Sequence, residues 1–505
     1  MIVNIDYKRI RKGKYHMDRR DFIKTTMLAA AYSVCGSAVF AKGAAKKDDR
    51  PNILFIITDQ QNAGMMSCTG NKWLKTPAMD FLAQEGIRFE KAYCTNPVCV
   101  PSRISTATGM MPNRLGAINN KLGMQIKKLP LEVDENSLGK IVKRAGYDTF
   151  YGGKVHMCKS LVPENAGYDE YIKDKRAELP AACLKFIKQK RDKPFFAVAS
   201  FINPHDICFA HRAHKGKNTH NVLKLYKEAS SLGLEQLPPL PDNYAIPQDE
   251  WAAVEANLSY TATTPSGTMR KEYDERDWRI NRWIYRRLTE KVDKHIGKIL
   301  DGLKDAGLED STLVIFSSDH GNMDASHRLA SKGFHYEESV GVPLILKYKG
   351  VIRAGRTDQK HLVSTGLDIL PTICDYVGVS KPAHLLGKSL RPLAEGTAVD
   401  GWRRYVVSEY GWFRMVRSPQ FKYSVDNSAD NNETLIDMKN DPGEMTNLVD
   451  DPKFRNVLVA HREFLKEWNK VSNDKQGSKF VKEAQGKSAK NKNNGILNEE
   501  QCGKD

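Results

Sequence analysis

The chain has 505 residues, enough for one large α/β domain and a smaller one. Apolar residues make up 40% and aromatic residues 9%, which excludes a disordered protein. The formal charge of +17 is uneven: residues 1–50 hold 12 Lys and Arg against 5 Asp and Glu, and without interleaved aromatic and basic repeats the rest excludes a nucleic-acid footprint.

The first element is the segment "DRRDFIKTTMLAAAYSVCGSAVFAKGA". Its apolar run is too short for a membrane anchor and is broken by Tyr32, Cys35 and Gly36. Paired Arg19 and Arg20, then Phe22 and Lys24, and small residues around Ala41 resemble a twin-arginine export signal over residues 1–45, with Met17 as an alternative start to Met1. "YSVC" is a poor lipidation site, so the reading is an exported periplasmic or extracellular protein, not an integral membrane one. Twin-arginine export machinery carries folded cargo, which suits a protein modified or metal-loaded before it leaves the cytoplasm. The nine cysteines show neither zinc nor disulfide spacing.

From Pro51, "PNILFIITDQQ" is an apolar, β-branched run that ends abruptly in polar groups, the pattern of a buried parallel strand. "YDTFYGGKVH", "PFFAVASFINPHD" and "STLVIFSSDHGNM" repeat it, and amphipathic segments such as "PAMDFLAQEG" and "RLTEKVDKHIGKILDGLKDAG" lie between. The alternation predicts an α/β fold over 51–379, a mostly parallel central sheet with helices on both faces. Such sheets bind ligands beyond the carboxyl ends of their strands, where all four runs put polar residues. The polar stretch 207–275 reads as a long insertion beside that edge. Residues 380–472 read as a small α+β subdomain with an antiparallel sheet, and 473–505 as a disordered tail.

Asp59 and Gln60 follow the first strand, and Asp319 and His320 follow a later one. Together they offer carboxylate and amide oxygens and a ring nitrogen to one cation, a set that favours Ca²⁺ or Mg²⁺ over zinc. The plainer alternative is that each Asp caps a turn. Between the pairs stands "NPVCVPSRISTATGMMPNR", with Cys99, Pro101, Ser102 and Arg103 ahead of a small-residue, helix-like run.

This C-x-P-S-R sequence resembles the signature of the type I, formylglycine-dependent sulfatases of the alkaline phosphatase-like superfamily. The likeness runs over about residues 51–450 and takes in "TDQQ", "GYDTFYGGKVH", "NPH", "SSDHGNM" and "ETLIDMKNDPGEMTNL". It implies an alkaline phosphatase-like fold and conversion of Cys99 to formylglycine by a maturation enzyme. It also implies one divalent cation, usually calcium, ligated by Asp59, Gln60, Asp319, His320 and the modified Cys99. Many members have Asp in place of Gln60 and Asn in place of His320, so this chain has a lower anionic count and an added nitrogen. His320 standing beside the metal without bonding it is the alternative.

The implied chemistry is sulfate-ester hydrolysis on a sulfated carbohydrate. A thiol would give an adduct with no easy exit, whereas a formylglycine hydrate has two geminal hydroxyls. One is ionised by metal and by Asp319 and attacks sulfur; the other expels sulfate by restoring the aldehyde, with His156 as base. Arg103 would hold that side chain, Lys154 and Lys332 would grip sulfate oxygens, and His205 would protonate the leaving alcohol. His327 and His335 compete with Lys332 for its place. Hydrolysis of phosphonate monoesters or phosphodiesters is the alternative reaction, and glycan binding on an inactive scaffold the non-enzymatic one. Trp412, Phe413 and Arg414 read as strand-face core or as groups approaching the pocket.

Overall fold

The computed structural model describes residues 49–173, 176–260, 265–427 and 432–481. The export signal therefore lies outside the described residues. The apolar runs become the strands β1 (Asn52–Asp59), β2 (Ile87–Phe89), β3 (Ala92–Tyr93), β4 (Asp148–Gly153), β5 (Glu170–Lys173), β6 (Phe195–Pro204) and β7 (Thr312–Ser318). They continue with β8 (Leu344–Lys347), β9 (Arg356–Asp358), β10 (Val363–Ser364), β11 (Val406–Tyr410), β12 (Phe413–Arg417), β13 (Phe421–Asp426) and β14 (Glu433–Asp437). The helices that matter for the site are α1 (Pro77–Gln84), α2 (Cys99–Thr108), α3 (Leu179–Ile187), α4 (Glu275–Asp305), α5 (Thr365–Tyr376) and α6 (Arg455–Ser472).

The main sheet has the order β5-β4-β6-β1-β7-β8-β2-β9. β1 sits between β6 and β7 and is parallel to both, while β8 alone runs against its neighbours β7 and β2. Alternation along β1 fills two cores. Ile53, Phe55 and Ile57 join Phe196, Val198 and Ile315 under Ile104 of α2 and Ile369 of α5. Leu54 and Ile56 join Ala197, Val314 and Phe316 under Leu82 of α1, Phe186 of α3 and Ile296 of α4. Both faces of β1 are thus dry, which is why its sequence is apolar throughout instead of alternating.

The antiparallel sheet β11-β12-β13-β14 forms the C-terminal layer. Its outer face carries Val416, Tyr423 and Leu435 against Leu458 and Leu465 of α6, and Met111 and Leu367 of the main layer share that core. Its inner face carries Val406, Phe413 and Met415 against Tyr93, Leu329, Phe334 and Tyr336. Two expectations change here. The 207–275 stretch is more helical than its turn-rich composition suggests, with helices at Val222–Ser230, Ala252–Tyr260 and Pro265–Glu272. Part of it shares a core with α4, where Val222, Ala229 and Leu237 meet Ile284 and Leu288. The tail read as disordered from Asn473 is packed as far as residue 481: Gly477–Phe480 forms a helical turn and Phe480 is fully buried. One aromatic in a polar stretch suffices, because Arg414 offers its guanidinium 4.2 Å over the Phe480 ring.

Candidate active site

β1 and β7 run in register with Thr58 opposite Ser318, so Asp59 and Asp319 leave the sheet side by side. The chain then bends sharply: Gln60 takes a left-handed φ of 67° and its N–H donates to Asp319 Oδ1 at 3.1 Å. His320 donates its own N–H to the same oxygen at 2.9 Å. The glycine after it is required by close approach, since a Cβ on Gly321 would lie 2.0 Å from the Glu338 carbonyl oxygen. His320 Nδ1 lies 2.9 Å from the Gly321 carbonyl oxygen and donates its proton there, which leaves Nε2 as the atom a cation would bind. Nε2 faces Cys99 Sγ at 3.2 Å, and against burial the Asp319 carboxylate raises the ring's pKa above the ordinary imidazole value.

Cys99 is the first residue of α2, where unpaired backbone N–H groups favour negative charge. It is fully buried, and its sulfur lies 3.1 Å from Lys332 Nζ and 3.9 Å from Lys154 Nζ. Burial and Asp59 push its thiol pKa up, but Lys154, Lys332 and His320 outweigh them and hold it well below the ordinary range. Donor atoms of Asp59, Cys99, Asp319 and His320 all lie within 4.8 Å of one another, and all four residues are buried. Burial and the Asp59 charge push Asp319 up to about 6, a repulsion that a cation between the carboxylates would relieve. Two carboxylate oxygens with one imidazole nitrogen fit a divalent ion.

Arg103 stands one helical turn beyond Cys99 and is only 3% exposed. The sequence reading aims it at the Cys99 side chain; the structure places its guanidinium on the carboxylates instead. Nε donates to Asp319 Oδ2 at 2.8 Å and Nη2 to Asp59 Oδ2 at 2.9 Å. Nη1 is taken by Ser200 Oγ at 2.8 Å and the Lys154 carbonyl oxygen at 3.2 Å. Lys154 reaches Asp59 Oδ2 at 2.8 Å from the end of β4. Gly153 makes that turn possible with φ 96°, because its Cβ would fall 1.9 Å from the Ser200 carbonyl oxygen.

Lys332 bonds Gln60 Oε1 at 2.9 Å as well as Cys99. An ammonium only donates, so the Gln60 carbonyl oxygen must face it; the same oxygen accepts from the Cys208 thiol at 3.1 Å. The structure thus gives Gln60 Oε1 two donors and leaves its buried Nε2 without a partner. The loop delivering Lys332 holds Asp324, Ala325, His327, Arg328 and Ser331 at positive φ. Arg286 clamps Asp324 at 3.2 Å and Arg282 holds the Asp324 carbonyl oxygen at 2.7 Å. His327 and His335 do not enter the cluster: His327 stacks on Tyr336 at 3.9 Å and His335 lies tilted against it at 4.3 Å between ring centroids.

His205 opens a helical turn directly after β6, half-buried. Burial, then Lys154 and Lys332, hold its pKa well below the usual imidazole range, so the ring is neutral. His156 lies two residues beyond Lys154 at φ 44°, with a buried Nδ1 that has no hydrogen-bond partner. Sequence reasoning missed Ser200, Asp324 and Tyr285, whose hydroxyl donates to the Gln60 backbone carbonyl oxygen at 2.6 Å. A serine, an aspartate and a helix tyrosine carry no local signal of such a role. Among the described residues no helix is long and apolar enough to cross a membrane.

The family model described as Sulfatase matches residues 51–379, and that described as N-sulphoglucosamine sulphohydrolase, C-terminal, matches 325–471. The Delta 4,5-hexuronate-2-O-sulfatase of Bacteroides thetaiotaomicron is 29% identical, over 88% of this chain and 92% of its own. The N-acetylglucosamine-6-O-sulfatase of the same organism is 26% identical, over 84% and 87%. A solved structure described as a 2-O GAG sulfatase superposes with a TM-score of 0.74 at 28% identity, covering 85% of this chain and 94% of that one.

Proposed function

Since the chain belongs to the sulfatase family, with an alkaline phosphatase-like fold, we propose that this sulfatase removes sulfate from a sulfated carbohydrate, using a formylglycine made from Cys99 and a divalent cation. The observation that carries the reading is the convergence of Cys99 Sγ with Asp59, Asp319 and His320 at the carboxyl edge of the sheet. Relatives named for sulfate removal from a hexuronate and from N-acetylglucosamine support a saccharide substrate.

Asp59, Asp319 and His320 Nε2 would hold the cation, with the modified Cys99 completing the set; Gln60 is the fifth candidate. When bound, the ion would supply Lewis acidity, lowering the pKa of a hydroxyl at residue 99 and polarising a sulfate oxygen. Arg103 fixes both carboxylates in place, so they neither rotate nor repel each other apart. Lys154 and Lys332 flank residue 99 and would take two sulfate oxygens. His205, held neutral in the free protein partly by Lys154 and Lys332, would take up a proton once bound sulfate offsets those charges and give it to the leaving alcohol oxygen, and His156 would accept the proton when residue 99 is regenerated. Export by the twin-arginine route, from the Arg19–Arg20 segment, belongs to the same reading.

The test is mass spectrometry of the Cys99 peptide from protein made in its own host, together with metal analysis. The expected result is the mass of –CH₂SH converted to –CHO, one divalent ion per chain and turnover on a panel of sulfated saccharides. An unmodified, alkylatable thiol in the folded exported protein would refute the reading. Phosphonate monoesters and phosphodiesters in the same panel test the alternative reaction.

A further inference from the structure

The hairpin between β11 and β12 carries Tyr410, Gly411 and Trp412, and its Tyr410 stands beside the loop that holds Lys332. Val406 and Tyr410 lie on the inner face of the C-terminal sheet, in one core with Leu329 and Phe334, which bracket Lys332. A Cβ on Gly333 would lie 3.8 Å from the Tyr410 ring and 3.9 Å from Val98. Gly333 follows Lys332, and Val98 precedes Cys99. The Tyr410 ring therefore stands beside the backbone segment that carries Lys332, and the Val98 side chain, next to the reactive residue, lies by the same glycine. Phe413 is fully buried, yet Tyr410, Gly411 and Trp412 stay half-exposed, as do Lys154, His156, His205 and Lys332 at the mouth of the buried cluster.

The turn is held rigidly. Arg414 donates to the carbonyl oxygens of Tyr410 at 3.1 Å and Phe413 at 3.0 Å, and pairs with Asp474 at 2.9 Å. Glu409 Oε1 accepts the Asn113 N–H at 2.6 Å. Trp412 leans on Trp251 at 5.5 Å and stands at 77° to the Tyr410 ring, so the two rings make a corner. The face of an aromatic ring is electronegative, and pyranose C–H groups are weakly positive and line one side of the sugar. A fixed aromatic corner beside a sulfate site binds such a face with little loss of side-chain freedom.

We propose that Tyr410 and Trp412 form the wall that takes the apolar face of the pyranose ring bearing the scissile sulfate, making the hairpin a determinant of substrate choice. This rests on the sulfated-carbohydrate reading above. Steady-state kinetics on sulfated disaccharides cut from heparin and chondroitin sulfate test it, with inorganic sulfate as competitive inhibitor. Tyr410→Ala and Trp412→Ala should each raise KM about tenfold with kcat within about threefold, and Trp412→Phe should recover most of the loss. The inhibition constant of sulfate should move by less than about twofold, because its oxygens are held by the lysines.

An unchanged KM in both alanine variants overturns the proposal, as does an equal loss of sulfate affinity, which would mean that the Lys332 loop had collapsed. If the wild-type protein hydrolyses aryl sulfates and no saccharide, the carbohydrate reading fails and the wall with it. Saccharide turnover that ignores both substitutions removes the wall alone.

Discussion

Two buried charge clusters lie on either side of the loop that carries Lys332, and they are built on opposite principles. In the one between the C-terminal sheet and the main layer, Lys422 sits 2.6 Å from Glu444, 3.1 Å from Glu337 and 3.1 Å from the His335 carbonyl oxygen. Arg417 lies 3.4 Å from Glu337, and Tyr93 donates to Glu337 at 3.1 Å. Opposite charges are interleaved, with Lys422 between two carboxylates. In the cluster at the sheet edge, ligand atoms of Asp59, Asp319, His320 and Cys99 converge within 4.8 Å, and Arg103, Lys154 and Lys332 surround them. Backbone strain does not separate the two, because Gln60 in one and Glu444 in the other both lie at positive φ. Interleaved charges hold two layers together, whereas convergent ones invite a ligand.

The largest separation between the clusters is expected from Cys99→Ala. It should cut turnover of a sulfated saccharide by more than about 10³-fold while leaving the melting temperature nearly unchanged. Lys422→Met reverses that pattern. It strands Glu444 and Glu337 and should cost about 3–5 kcal/mol in denaturant unfolding, with activity per folded molecule preserved. Comparable activity losses for the two variants would show that the clusters are not distinct in role.

Arg103→Lys probes whether convergence needs a planar fork. A single ammonium cannot span Asp59, Asp319 and Ser200, so a loss of about 10²-fold in kcat/KM is expected. Metal content after dialysis should fall alongside it; full retention of both would argue that the carboxylates hold their own positions.

The smallest effect concerns the hairpin support. Burial pushes Glu409 up to about 7, with Arg414 opposing. A carboxyl with a raised folded pKa gives stability that is complete below its unfolded pKa of about 4.3 and is lost as pH climbs through its folded value. Glu409→Gln removes that loss and keeps an acceptor for Asn113. Its unfolding free energy relative to wild type should therefore rise by about 1.4 kcal/mol between pH 6 and 8.5, measured by denaturant titration. A pH-independent difference would show that Glu409 does not titrate in that window.

The sequence by itself determined the dry strand β1, the polar strand ends, the one-turn interval from Cys99 to Arg103 and the alternation that makes a parallel sheet. These are readable because they rest on local periodicity and on spacing within a single element. Only the tertiary structure decided that Arg103 serves the carboxylates, that Gln60 turns its carbonyl oxygen to Lys332 and Cys208, and that His327 and His335 pack on Tyr336 away from the cluster. It also decided that residues 473–481 pack and that Tyr410 stands beside the Lys332 loop. Arg103 and Asp319 are 216 positions apart, and Arg414 and Asp474 are 60. Where a charged side chain points is settled by the potential of groups brought beside it by register and layer packing, and no window of sequence contains both partners.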